Sequence, residues 1–230
     1  MSRREREKRA ARRERSRQGV REQAQRQRPN LHDYFPVLTE TVPIGAPVVL
    51  YCRESSDPQE ENLPAQIYRC WQAAQDYNVV GILSYVAKAW DTNHHRQVMR
   101  DLSHFDTPFV VAEYYDRYLR HKDWGRNHNI YVEPTVEQLD AHQALWQRNA
   151  KMPLVVHKPA SSEEELFTMR SQRIKGGIEL HGDTQREYFQ KRIEWLSPIV
   201  QGMRERGFSY RALERVLPLK KSTLERYARL

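Results

Sequence analysis

VVLYCRESSDPQEENLPAQ, residues 48–66, passes from an unbroken apolar run into a polar stretch that opens with an arginine and two adjacent serines. The apolar part belongs to APVVLYC (46–52), which is of strand length and rich in Val, so it reads as a buried strand. Its end delivers Arg53, Ser55 and Ser56 to the strand's C-terminal edge. In an open α/β sheet that edge is where ligands bind. A serine placed there is either a helix cap or a nucleophile.

Working outward, LPAQIYRCWQAAQDY (63–77) has Ile67, Cys70, Trp71 and Ala74 at helical spacing, and Pro64 suits a first turn. NVVGILSYV (78–86) predicts a second strand, NHHRQVMRDLSHF (93–105) a helix carrying Val98, Met99 and Leu102, and TPFVVAEYY (107–115) a third strand. TVEQLDAHQALWQRNA (135–150) predicts a helix with Thr135 as N-cap, and MPLVVHK (152–158) a fourth strand. Strand–helix alternation of this kind predicts an α/β fold, a mainly parallel sheet flanked by helices. Residues 31–46 are Pro-rich and read as a linker. From 161 the pattern becomes charged helix, interrupted at Gly176 and Gly177, with short helices continuing to the C-terminus.

The last stretch, SPIVQGMRERGFSYRALERVLPLKKSTLERYARL, reads as helix, Gly-containing turn, helix, short turn, helix. Ser209 suits the cap of the second helix, and Ser222 lies near the start of the third. Leu213, Val216, Leu219 and Leu224 would form one small apolar core. Lys220, Lys221, Ser222, Thr223 and Arg226 would then lie on or beside an exposed recognition helix, with Tyr210 and Arg211 on the helix before it, as in helix-turn-helix DNA-binding domains. The alternative is a small three-helix bundle that binds protein.

Charge divides the chain. Residues 1–30 hold eleven Arg, one Lys and four Glu, while the remaining 200 hold 26 basic and 26 acidic residues. The net charge of +8 therefore belongs to the N-terminal arm. That arm has no apolar run, which speaks against a secretory signal or a membrane span. Basic arms bind nucleic acid through phosphates, although a solvated tail has the same composition. With Cys52 and Cys70 as the only cysteines, both in apolar segments, buried inert thiols in a reducing cytoplasm are expected. His94, His95 and Asp91 hint at metal, but adjacent helical histidines diverge by about 100° and surface residues are the simpler reading. No Gly-rich phosphate loop is present.

Arginines gather around the first sheet. Arg53 and Ser55 leave the first strand, Arg96 lies on the helix before the third, and Arg117 and Arg120 follow that strand in YYDRYLR. A serine hydroxyl among guanidinium groups suits attack on a phosphodiester, because Arg forks neutralise the charge that builds on the non-bridging oxygens. Ordinary surface charges paired with acids would have the same spacing.

The motifs resemble a known family. YCRESSDPQ resembles the Y-x-R-x-S opening of the serine site-specific recombinases, the resolvase and invertase family. YYDRYLR resembles their D-R-L-x-R motif, and HRQVMRDL the arginine-bearing helix between the two. The resemblance covers about residues 46–160. It implies Ser55 as nucleophile, Arg53, Arg96, Arg117 and Arg120 as phosphate-binding arginines, Gln59 and Gln66 as supports of the pocket, and Asp116 as the acid before the paired arginines. The chain departs from the family pattern at Glu54, usually apolar, at Tyr118, usually leucine, and at Glu214 and Pro218 in the helix-turn-helix. It also carries a polar insertion, HKDWGRNHNIYVEP.

The expected organisation is a basic arm and linker (1–45), a resolvase-like domain (46–160), an interface helix or linker (161–192) and a helix-turn-helix domain (193–230). Leu166, Phe167, Met169 and Ile174 would supply the interface. The resemblance implies a cytoplasmic, nucleoid-associated recombinase of the kind found in mobile genetic elements. Such a protein acts on duplex DNA as a homodimer that assembles to a tetramer, with no cofactor and no metal. A catalytically inactive relative that regulates through DNA binding, and a protein–protein module built on the same sheet, are the alternatives.

Overall fold

The computed structural model describes residues 29–54, 62–87, 92–119, 134–160, 165, 185–217 and 219–229. Ser55, Ser56, Gln59, Asp91, Arg120, most of the polar insertion, Pro218, and the expected interface residues Leu166, Phe167, Met169 and Ile174 with Gly176 and Gly177 lie outside them.

Four strands, β1 (Pro47–Glu54), β2 (Asn78–Val86), β3 (Phe109–Ala112) and β4 (Met152–Val155), form a sheet in the order β2-β1-β3-β4. Every pairing is parallel. The fold is therefore α/β with a parallel sheet flanked by helices. β1 lies in the interior and is covered on both faces, as its unbroken apolar run requires. With a side-chain period of two, Val48, Leu50 and Cys52 enter one apolar cluster and Val49 and Tyr51 the other.

The helices preceding β4 are α1 (Leu31–Tyr34), α2 (Leu38–Thr41), α3 (Leu63–Ala73), α4 (Thr92–Leu102) and α5 (Val136–Arg148). α3 begins with Pro64 in its first turn. α5 starts in a full capping box, in which the Gln138 backbone N–H donates to Thr135 Oγ1 and the Thr135 N–H donates to Gln138 Oε1. β2 spans the residues its sequence predicts.

Residues 31–46 are not a linker. Leu31, Phe35, Leu38 and Val42 recur at helical spacing and are buried, and Val37 bridges to Val155, which covers the outer edge of β4. The prolines punctuate this segment without preventing it from docking.

A further difference concerns the C-terminal region, where α6 (Gln185–Glu205), α7 (Tyr210–Val216) and α8 (Lys221–Tyr227) follow. α6 is one helix of 21 residues with Pro198 in its interior, so the boundary expected at 192/193 falls inside it. Leu213, Leu219 and Leu224 do not form a separate small core. They join Leu196, Ile199, Val200 and Met203 of α6 in one cluster with Ile67, Cys70 and Trp71 of α3. The apolar stripe of α6 needs a partner, and α3 presents one.

Gly202 fixes how closely those two helices approach, since a Cβ there would lie 2.7 Å from Trp71 Cζ2. Gly202→Ala should therefore destabilise the protein by about 1–3 kcal/mol, as overpacking does, although alanine is the better helix former. A urea midpoint equal to or above that of the wild type would show that the contact relaxes freely.

The opposite face of the sheet is built from rings. Tyr118 stacks on Tyr51 at 5.3 Å and on Phe35 at 6.0 Å, and its hydroxyl bridges the carbonyls of Val110 and Leu154 at 2.8 and 2.9 Å. The hydroxyl thereby ties β3 to β4, which a leucine at this position would leave undone. Nearby, Trp146 Nε1–H donates to Nε2 of the buried His142 at 2.8 Å. That bond requires a neutral ring, and burial, aided by the charge of His95, lowers the His142 pKa from 6.5 to about 3.

Below pH 6.5 the unfolded chain then takes up a proton that the native state refuses. Stability should fall with pH across the window from 6.5 to about 3, by up to about 1.4 kcal/mol per unit. In His142→Gln, which keeps an acceptor for Trp146, the drop in urea midpoint between pH 7 and pH 4.5 should shrink. Equal drops in the two proteins would remove His142 as its source.

Candidate functional site

The order β2-β1-β3-β4 makes the chain cross from one side of β1 to the other between β2 and β3. At such a switch point the loops leaving β1 and β3 diverge and open a crevice at the carboxyl edge. Arg53 and Glu54 end β1, and a 3-10 turn, Tyr115–Arg117, follows β3. The two sequence motifs, some sixty positions apart, meet there.

Their contact is reciprocal. Arg53, fully buried, donates from Nε to the Arg117 carbonyl at 2.9 Å, from Nη2 to the Asp116 carbonyl at 3.1 Å, and from Nη1 to the Ala87 carbonyl at 2.6 Å. Arg117 Nη1 donates back to the Arg53 carbonyl at 3.1 Å. Gln66 on α3 accepts the Arg53 backbone N–H at 2.7 Å and donates to Glu54 Oε1 at 3.2 Å. The same carboxylate oxygen lies 3.4 Å from Arg117 Nη1. Glu54 and Asp116 are both buried. A buried guanidinium is costly unless its protons find acceptors, and three carbonyls from the exits of two strands supply them for Arg53.

The structure thus brings together Arg53, Gln66, Asp116 and Arg117. Arg96 is set apart. It lies on the exposed side of α4, and no hydrogen bond or ion pair joins it to this cluster among the described residues.

Sequence reading missed three features. Glu54, taken as a departure on an apolar position, pairs with Arg117 and Gln66. Arg69 grips the buried Glu113 bidentately, at 2.5 and 3.1 Å, and so ties α3 to the end of β3. The acid closing the run FVVAE was the available signal. His94, expected at the surface, is buried, lies 2.9 Å from the Tyr51 hydroxyl and packs edge-on to Tyr85. Burial raises the Tyr51 pKa and keeps the phenol protonated. Among the described residues no cluster of three or more His, Cys, Asp or Glu is arranged to hold a metal ion.

In the C-terminal helices Ser209 caps α7, its side chain accepting the Ala212 N–H at 3.1 Å. Lys220, at the N-cap of α8, makes no side-chain cap bond. Glu214 acts instead, its carboxylate accepting the Lys221 N–H at 3.2 Å, a favourable charge at a helix N-terminus. Arg211, Lys220, Lys221, Ser222 and Arg226 are exposed, and Tyr210 and Thr223 are half-buried. The Arg204 guanidinium lies 4.4 Å over the Tyr210 ring.

Solved structures of similar fold include two described as serine recombinases. The C-terminal catalytic domain of ISC1926 TnpA, an IS607-like serine recombinase, is 22% identical, covers 56% of this chain and 81% of its own, and has a TM-score of 0.37. A serine recombinase from Sulfolobus solfataricus is 18% identical over 62% of this chain and 91% of its own, with a TM-score of 0.36. The first open reading frame of transposon ISC1904 from Sulfolobus solfataricus P2 is 16% identical over the same shares, with a TM-score of 0.35. No protein-family model and no curated protein matches the chain. No helix among the described residues is long and apolar enough to cross a membrane.

Proposed function

We propose that this chain is a serine site-specific recombinase of the resolvase and invertase type. Ser55 Oγ attacks the scissile phosphorus of duplex DNA, its proton leaves, and the 3′-oxygen departs as a free 3′-hydroxyl. A 5′-phosphoserine link remains. Attack by a 3′-hydroxyl of the partner duplex reverses the step and restores a phosphodiester. The covalent link conserves the bond energy, so no nucleotide cofactor is required. Two sites are cut and exchanged in a homotetramer built from dimers on the DNA, with α7 and α8 contacting the groove and the basic arm contacting phosphates.

The observation that carries this reading is the reciprocal clasp of Arg53 and Arg117 at the switch point. It joins the two arginine-bearing motifs at the carboxyl edge of the sheet. A second reading, a DNA-binding regulator without cleavage, draws support from the same clasp, because the Arg53 guanidinium donates to three carbonyls. A covalent protein–DNA adduct decides between them. Duplexes containing inverted repeats from beside the coding region, nicked to trap cleavage, should yield an adduct that survives denaturing electrophoresis. Retention of DNA without any adduct favours the regulator.

A further inference from the structure

The family pattern has an apolar residue where this chain has Glu54, and the carboxylate found there is held from two sides. Gln66 Nε2 donates to Oε1 at 3.2 Å from α3, while Gln66 Oε1 is itself fixed by the Arg53 backbone N–H. Arg117 Nη1 approaches the same oxygen at 3.4 Å. Both side chains of the ion pair are 9% exposed. The pair is loose, since charge-assisted N–H···O bonds typically close to about 2.7–2.9 Å. Arg117 Nε, also buried, has no hydrogen-bond acceptor among the described residues. A buried donor in that state favours the arrival of an oxygen acceptor.

We propose that Glu54 stands in for the substrate phosphate, holding Arg117 in a self-paired state that an incoming phosphodiester must displace. The inference rests on the function proposed above and adds a positioning residue to it. The carboxylate satisfies part of the Arg117 guanidinium while DNA is absent. It also places a negative charge beside the position a phosphate would occupy, which opposes binding until the side chain swings away. Arg117 is thereby kept in place and kept from non-cognate phosphates.

Inorganic phosphate is the probe, titrated into the full ¹⁵N-labelled chain while the Arg117 Nε–H resonance is followed. That resonance is assigned by its disappearance in Arg117→Lys. Glu54→Gln keeps the shape and the acceptor for Gln66 but removes the charge. It should bind phosphate about tenfold more tightly than the wild type, with the Arg117 resonance moving on titration. A folded Glu54→Gln protein that binds no tighter overturns the proposal and leaves the phosphate site standing. Failure of both proteins to bind phosphate overturns the site itself, and the proposal with it. Should Glu54→Gln not fold, Glu54→Asp retains the charge but shortens the reach to Arg117. It should show a smaller gain of the same sign, and unchanged affinity counts against the idea equally.

Discussion

Ser55→Ala should abolish the covalent protein–DNA adduct while leaving DNA retention at the wild-type level. In the proposed reaction the Ser55 hydroxyl oxygen becomes bonded to phosphorus, so its loss removes the step. Nucleophile deletions in covalent catalysts cost about 10⁴-fold or more, which places the residual reaction below detection in a trapping assay. Under the same proposal DNA retention depends instead on the arm and on the exposed basic residues of α7 and α8, which the substitution leaves intact. Ser56→Ala is the necessary companion, because the two hydroxyls are adjacent. It should retain the adduct. Peptide mapping that places the DNA link on Ser56 would overturn the assignment.

Much of the scaffold was legible because local signals agreed with the global fold. The run at β1, the spacing along α3, the extent of β2 and the caps at Thr135 and Ser209 are each set within a few residues of chain. The docking of 31–42 was missed because prolines masked apolar spacing of three and four. The length of α6 was missed because Pro198, which elsewhere ends a helix, sits inside this one. At the site, the residues were legible and their relations were not. Charge patterning reads arginines as solvated, yet Arg53 is fully buried and Arg117 nearly so. Their partners are backbone carbonyls and a glutamate brought in by sheet topology, which no periodicity records. The apolar signal that buries Glu54 is the strand itself, and its compensating glutamine lies on the next helix.

Arg53→Met should lower stability by about 3 kcal/mol or more, which ranks with the largest losses single substitutions cause. Methionine fills a comparable volume but carries no donor, so the carbonyls of Ala87, Asp116 and Arg117 each lose a bond that Arg53 now supplies. An orphaned buried acceptor costs about 1–3 kcal/mol, and two are created together, at Asp116 and Arg117, beside a third at the half-buried Ala87. Relief from burying a guanidinium offsets part of this, but not the loss of two buried acceptors at once. The urea midpoint should therefore fall by about 1 M or more for a slope of 1–3 kcal/mol per M. Arg53→Lys keeps the charge but not the planar fork, so it should fall between the two proteins. Backbone amide exchange at Arg117 and Tyr118 should quicken in both variants, because the turn after β3 loses its tether. An unchanged midpoint in Arg53→Met would mean that the three carbonyls find water or other donors. The consequence reaches function. An Arg53 variant that fails to cleave DNA reports the collapse of the Tyr115–Arg117 turn as much as the loss of a phosphate contact. Only a variant whose midpoint and amide exchange match the wild type can assign Arg53 to the phosphate.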